Sequence, residues 1–130
     1  MSDPRAEVSF EEIGLHLTSF KSTGLTANDA PTGGDSNTGA AVTMVDNATV
    51  GKGDAGDKLV GQVKKYESDG IVSVADAGYL TIEYSGSAPT LGESVECDGD
   101  GKVQIATSNN VSTNIVVSVD TTNKLVTFKL

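Results

Sequence analysis

Residues 39–86 read GAAVTMVDNATVGKGDAGDKLVGQVKKYESDGIVSVADAGYLTIEYSG. Short runs of β-branched residues alternate here with turns of glycine, aspartate and asparagine. Residues 41–45 predict a strand, followed by a short step at Thr49 and Val50. The turn over residues 51–57 leads into a predicted strand at 58–67. Asp69-Gly70 and Gly78 then introduce strands at 71–75 and 79–85. Asp-Gly between alternating apolar residues is a strong short-range hairpin signal, so the stretch predicts an antiparallel meander.

The period of two assigns faces. Val42 and Met44 are expected on one face and Thr43 on the other. Leu59, Gly61 and Val63 are expected to oppose Val60, Gln62, Lys64 and Tyr66. Val72, Val74, Leu80, Ile82 and Tyr84 are expected inside, with Thr81 and Glu83 outside. Such alternation suits an antiparallel sheet with one buried face.

Downstream, Asp98-Gly99-Asp100-Gly101 joins predicted strands at 94–97 and 102–106. Residues 114–120 place Ile115, Val117 and Val119 on one face and Val116 on the other. Residues 124–130 alternate Val126, Phe128 and Leu130 with Leu125, Thr127 and Lys129. The expectation is an all-β fold, a small β-barrel or β-sandwich of eight or nine short, mostly antiparallel strands. Fifteen valines and fourteen threonines in 130 residues agree with it, because β-branched side chains favour strands.

Upstream, residues 22–39 are small, polar and glycine-rich, without either period, and read as a long loop. Residues 1–14 support two readings. Ser9 and Glu12 fit a helix capping box, whereas Leu15 and Leu17 alternate around His16 as in a strand. The reading adopted is an extended N-terminal arm over 1–14 and one β domain over 15–130, with its first strand near 15–21. The apolar arm residues are expected to dock either on the domain's own core or on a partner.

The formal net charge is -9 and the isoelectric point is about 4.3. That balance disfavours a nucleic-acid backbone as partner. No apolar run long enough for a membrane helix is present, and MSDPRAEVSF lacks the pattern of a signal peptide. A single cysteine, Cys97, excludes an intrachain disulfide; the expected site of synthesis is a cytoplasm. The sequons at Asn47 and Asn110 therefore read as turn chemistry.

Candidates for catalysis and cofactors are weak. His16 is the only histidine and reads as a solvent-facing strand residue between two leucines. Cys97 sits among acidic residues, which disfavours a thiolate and points to a small core residue. Asp98-Gly-Asp-Gly lacks the ligand register of a calcium loop, and Gly51-Lys52-Gly53 lacks P-loop spacing. The expectation is no enzyme, no metal and no cofactor.

Several features in their order resemble a family. They are the strand at 41–45, Asn47-Ala-Thr-Val50, the turn closing on Gly56-Asp57-Lys58-Leu59-Val60-Gly61, and Val63 to Tyr66 before Asp69-Gly70. They continue with Tyr84-Ser-Gly-Ser-Ala-Pro-Thr-Leu-Gly92, Asp98-Gly-Asp-Gly-Lys-Val103 and Val117-Ser-Val-Asp-Thr-Thr122. This arrangement looks like the small capsid decoration, or cement, proteins of tailed bacteriophages. Residues 41–85 are also loosely similar to the head-decoration protein of lambda-like phages.

The resemblance implies a non-enzymatic virion protein, commonly trimeric, on the outer capsid surface. It would staple neighbouring major capsid subunits and stabilise the head. Nucleic acid and membrane are not expected as partners. Capsid contacts are then expected at Val8, Phe10, Ile13, Leu15 and Leu17 of the arm, and at Leu25, Asn28 and Asp29 of the loop. Two other readings stay open: a carbohydrate- or host-surface-binding β module, and a tail-tube-type repeating virion component.

Overall fold

A computed structural model describes residues 16–31, 39–106 and 114–130. The fold is all-β, with ten strands among the described residues. The strands are β1 (His16–Ser22), β2 (Ala41–Asp46), β3 (Thr49–Gly51), β4 (Gly61–Ser68) and β5 (Ile71–Ala77). They continue with β6 (Tyr79–Glu83), β7 (Val95–Cys97), β8 (Val103–Ile105), β9 (Ile115–Asp120) and β10 (Leu125–Lys129). β1 to β5 close into a barrel in the order β1-β3-β2-β4-β5. β6, β10 and β9 form a three-stranded sheet with β10 at its centre, and β7 and β8 form a separate hairpin.

Local turn chemistry explains most of the connections. Ser68 pairs with Ile71 across Asp69-Gly70, whose φ angles are 50° and 80°. Two successive positive φ values match the right-handed twist of the flanking strands, which is why Asp-Gly joins β4 to β5. Gly78, at φ 103°, turns the chain out of the barrel into the three-stranded sheet. Its carbonyl accepts the Leu130 N–H at 2.8 Å, which fastens the end of β10 beside that turn.

The described residues form two apolar cores. The barrel interior holds Val42, Val50, Val63, Val72 and Val74, with Leu25, Ala30 and Ala40 closing over them. A second core, around Leu80, Ile82, Val116, Val126 and Phe128, fills the space between the barrel wall and the other two sheets. Ala41 and Ala75 belong to this outer core, although Val42 and Val74 beside them belong to the barrel. The wall made by β2, β4 and β5 is thus covered on both faces.

Three expected faces change for this reason or through bulges. Met44 does not share the buried face of Val42: β2 pairs with β4 only at Ala41 and Val42, and beyond them Met44 is exposed while Thr43 is buried. Residues 58–60 are not strand: Leu59 packs in the outer core and Val63 inside the barrel, because the ladder begins only at Gly61. Tyr66 packs with Val63 rather than opposite it. Val63 pairs with Val74 and Lys65 with Ser73, so Lys64 is an extra residue that shifts the alternation.

A second bulge acts in β9. Val116 pairs with Phe128 and Ser118 with Thr127, leaving Val117 unmatched. Val116 therefore enters the core together with Val119, and Ile115 and Val117 face solvent. The residues expected inside, Val72, Val74, Leu80, Ile82 and Tyr84, are all buried, and on β10 Val126 and Phe128 form the buried face.

The loop after β1 has structure of its own. Residues 27–29 form a 3-10 turn opened by Thr26, whose hydroxyl accepts the Asn28 N–H at 3.2 Å. The Asp29 carboxylate reaches back to the Thr26 N–H at 2.8 Å. This reciprocal cap holds a polar sequence in a fixed shape where no periodicity would reveal it. Residues 32–38, the rest of the expected loop, lie outside the described residues, as does the arm.

Candidate interaction surface

The expected contact residues have different fates. Val8, Phe10, Ile13 and Leu15 lie outside the described residues. Leu17 is 54% exposed on β1. Leu25 is 7% exposed and packed into the barrel core, so in this fold it stabilises the domain rather than offering a surface. Asn28 is exposed on the 3-10 turn, and Asp29 is partly buried beside it.

Asn28 and Asp29 line one wall of a cavity of about 160 Å³. Ile82 and Glu83 of β6 and residues 100–102 of the β7–β8 turn line the rest of it, with Gly39 and Ala40. Two ion pairs frame it: Lys52 Nζ to Asp29 Oδ1 and Lys102 Nζ to Glu83 Oε1, each 3.0 Å. Backbone hydrogen bonds stitch the walls together, from Ala40 N–H to the Asp29 carbonyl at 2.9 Å and from Ala41 N–H to the Gly101 carbonyl at 2.8 Å. The cavity is thus a cleft of mixed polar and apolar lining where the end of the loop after β1, β6 and the β7–β8 turn meet.

The β7–β8 turn is built around Asp98. Its carboxylate accepts the N–H of Asp100 at 2.7 Å, the N–H of Lys102 at 3.0 Å and the Ser85 hydroxyl at 2.8 Å. Burial pushes the Asp98 pKa upward, but these hydrogen bonds outweigh it and hold the carboxyl below its ordinary value. The side chain is committed to the turn, as the hairpin reading expects. Among the described residues, no group of three or more His, Cys, Asp or Glu side chains is placed to hold a metal.

Cys97 is fully buried in the outer core. Burial, then the carboxylates of Asp57, Asp98 and Glu96, push its thiol up to about 12. It is a packing residue with no thiolate character at neutral pH. His16 is exposed on β1, as expected, and carries a partner that the sequence did not announce, Asp76 of β5.

A set of exposed apolar residues also went unmarked in the sequence reading. Ile115 is 50% exposed and Val117 38% on β9, the outer strand of its sheet. Leu91, 64% exposed, is brought beside them by the neighbouring loop. Gly92 N–H donates to the Val116 carbonyl at 2.9 Å, and Val116 N–H donates to the Glu93 carbonyl at 2.8 Å. Ile115 and Val117 share a face as expected; the bulge moves Val119 from that face to the buried side of Val116.

No protein-family model matches the chain, and no curated protein matches it.

Proposed function

We propose that the chain is a non-enzymatic virion structural protein that binds the outer surface of a phage capsid. In this reading it associates as a homotrimer and staples major capsid subunits together. The observation that carries the reading is the exposure of Leu91, Ile115 and Val117 along the β9 side of the three-stranded sheet, whose inner face is buried. Exposed apolar groups that cluster on a rigid scaffold suit recognition by contact. The order of turns and strands that resembles capsid decoration proteins supports the same reading. A net charge of -9 suits a protein that stays dispersed until it meets its site, and many copies on a symmetric shell turn a weak contact into firm attachment.

A carbohydrate-binding surface has less support. Such surfaces use open aromatic platforms, whereas Tyr84 is buried and Tyr66 packs against the barrel core.

The test is co-sedimentation of the purified protein with expanded capsids stripped of decoration, together with its mass by light scattering. Saturable binding by a trimer is the expected result. Absence of binding, with a monomeric or ring-forming chain, overturns the reading and promotes an adhesion or tube role.

A further inference from the structure

We propose that residues 16–20 of β1 form a two-fold contact between copies of this chain, the open edge of one β1 pairing antiparallel with that of a second copy. β1 pairs with β5 from His16 to Lys21, but with β3 only at Lys21 and Ser22. Over residues 16–20 it therefore runs past the barrel seam, and among the described residues nothing pairs with its outer edge there. Backbone direction fixes what that edge presents. Ser22 N–H donates to the Gly70 carbonyl, on the β5 side, at 2.7 Å. Lys21 N–H donates the other way, to the Ala48 carbonyl just before β3, at 3.0 Å. Successive residues of a strand aim their backbone groups to opposite sides. The register with β5 is unbroken from Leu17 to Lys21, so Leu17 and Ser19 aim their N–H and C=O groups as Lys21 does, away from β5.

That pattern is complementary to itself. An axis through Thr18 sets Leu17 opposite Ser19 of the second copy, and Ser19 opposite Leu17 of that copy. Each N–H then faces a C=O, as antiparallel pairing requires. A two-fold contact needs one patch to serve both partners, and these residues do so. Natural edges are commonly blunted by lysine or proline, and residues 16–20 contain neither. β1 carries no acidic residue, which matters for self-association of a chain with a net charge of -9. The Glu67 and Asp76 carboxylates that reach it are already hydrogen-bonded to its side chains, Glu67 to Ser19 at 3.1 Å and Asp76 to Thr18 at 2.8 Å and His16 at 2.7 Å. Leu17, exposed on a single copy, gains cover beside Ser19 of the second.

One short strand pair is small beside the roughly 800 Å² per partner of a stable interface. The contact is therefore weak in dilute solution and forms where copies are crowded. On a shell it would join copies in neighbouring trimers, many weak contacts adding to a firm lattice. That setting rests on the proposed function; the contact itself does not.

Thr18→Cys in the full chain tests this, under mild oxidation at high protein concentration, read by non-reducing electrophoresis. Across the axis Thr18 meets its own copy at a non-hydrogen-bonded position, where Cα atoms lie about 4.5 Å apart, within reach of a disulfide. Cys97 is buried and does not compete. Ser19→Cys is the register control, because two Ser19 positions would lie about 7–8 Å apart on a diagonal, too far to bridge. Thr18→Cys should give about tenfold more covalent dimer than Ser19→Cys. In the unmodified chain, the Leu17 and Ser19 amides should gain hydrogen-exchange protection as concentration rises, while β10 amides stay unchanged. A folded Thr18→Cys chain that forms no dimer overturns the contact. So do equal yields from the two variants, which report random collision. If Thr18→Cys does not fold, the exchange measurement decides alone, and protection independent of concentration overturns the contact.

Discussion

Gln62 Nε2 donates to the Thr81 carbonyl at 2.9 Å, and this bond ties the barrel wall to the three-stranded sheet. The same nitrogen donates to the Gly39 carbonyl at 3.1 Å. Gln62 is fully buried, and its Oε1 has no hydrogen-bond partner. Replacing Gln62 by Leu removes that lone acceptor but strips a buried carbonyl, Gly39, and a partly buried one, Thr81, of this donor. The net expectation is a loss of about 1–3 kcal/mol, read as a lower urea midpoint with an unchanged slope.

Phe128 is the largest fully buried side chain and stands in the outer core beside Leu80 and Val126. Phe128→Ala should cost about 3–5 kcal/mol. Thermal unfolding will show either a steep drop in midpoint or no folded state. A near-neutral result would mean that the two sheets do not depend on this core.

Gly61 opens β4 where it crosses β5. A Cβ at this position would run into the Ala75 carbonyl, which is backbone and cannot step aside. Gly61→Ala should therefore destabilise by about 1–3 kcal/mol despite the better strand propensity of alanine. Chemical denaturation of the variant measures it directly.

Asp98 holds the β7–β8 turn with its carboxylate below the ordinary pKa. The stabilisation is present above the unfolded value and lost as pH falls through the lowered folded value. Asp98→Ala should reduce stability at pH 7 by about 1–2 kcal/mol and flatten the acid limb of the stability curve. Denaturant midpoints between pH 2 and pH 7 for both proteins check the sign.

Leu91 and Ile115 are exposed and carry the proposed contact. Leu91→Glu and Ile115→Glu should each change stability by less than about 0.5 kcal/mol, as surface substitutions do. If the proposed function holds, each should also weaken capsid co-sedimentation by about tenfold or more, the effect of losing an apolar anchor. Unchanged binding by both variants would move the contact elsewhere on the molecule.

The all-β class was legible because it rests on local physics. Valine and threonine favour pleated backbone, and Asp69-Gly70 and Asp98-Gly99-Asp100-Gly101 make turns by short-range geometry alone. The inward residues of β5 and β6 followed from period two, as did the grouping of Val126 with Phe128 on β10. Cys97 as a core residue also followed from its own neighbours.

Register and layering were decided only in the tertiary structure. An extra residue at Lys64 or Val117 inverts the faces that follow it until another bulge intervenes, and nothing in the local sequence marks which residue will go unmatched. The burial of Leu25 depends on a barrel end that must close around it, and the exposure of Ile115 on a sheet edge that only folding defines. The pairing of His16 with Asp76 spans sixty positions and exists because β1 lies against β5. Strand formation is a property of neighbours in the chain; which faces are covered, and which residues meet, is a property of neighbours in space.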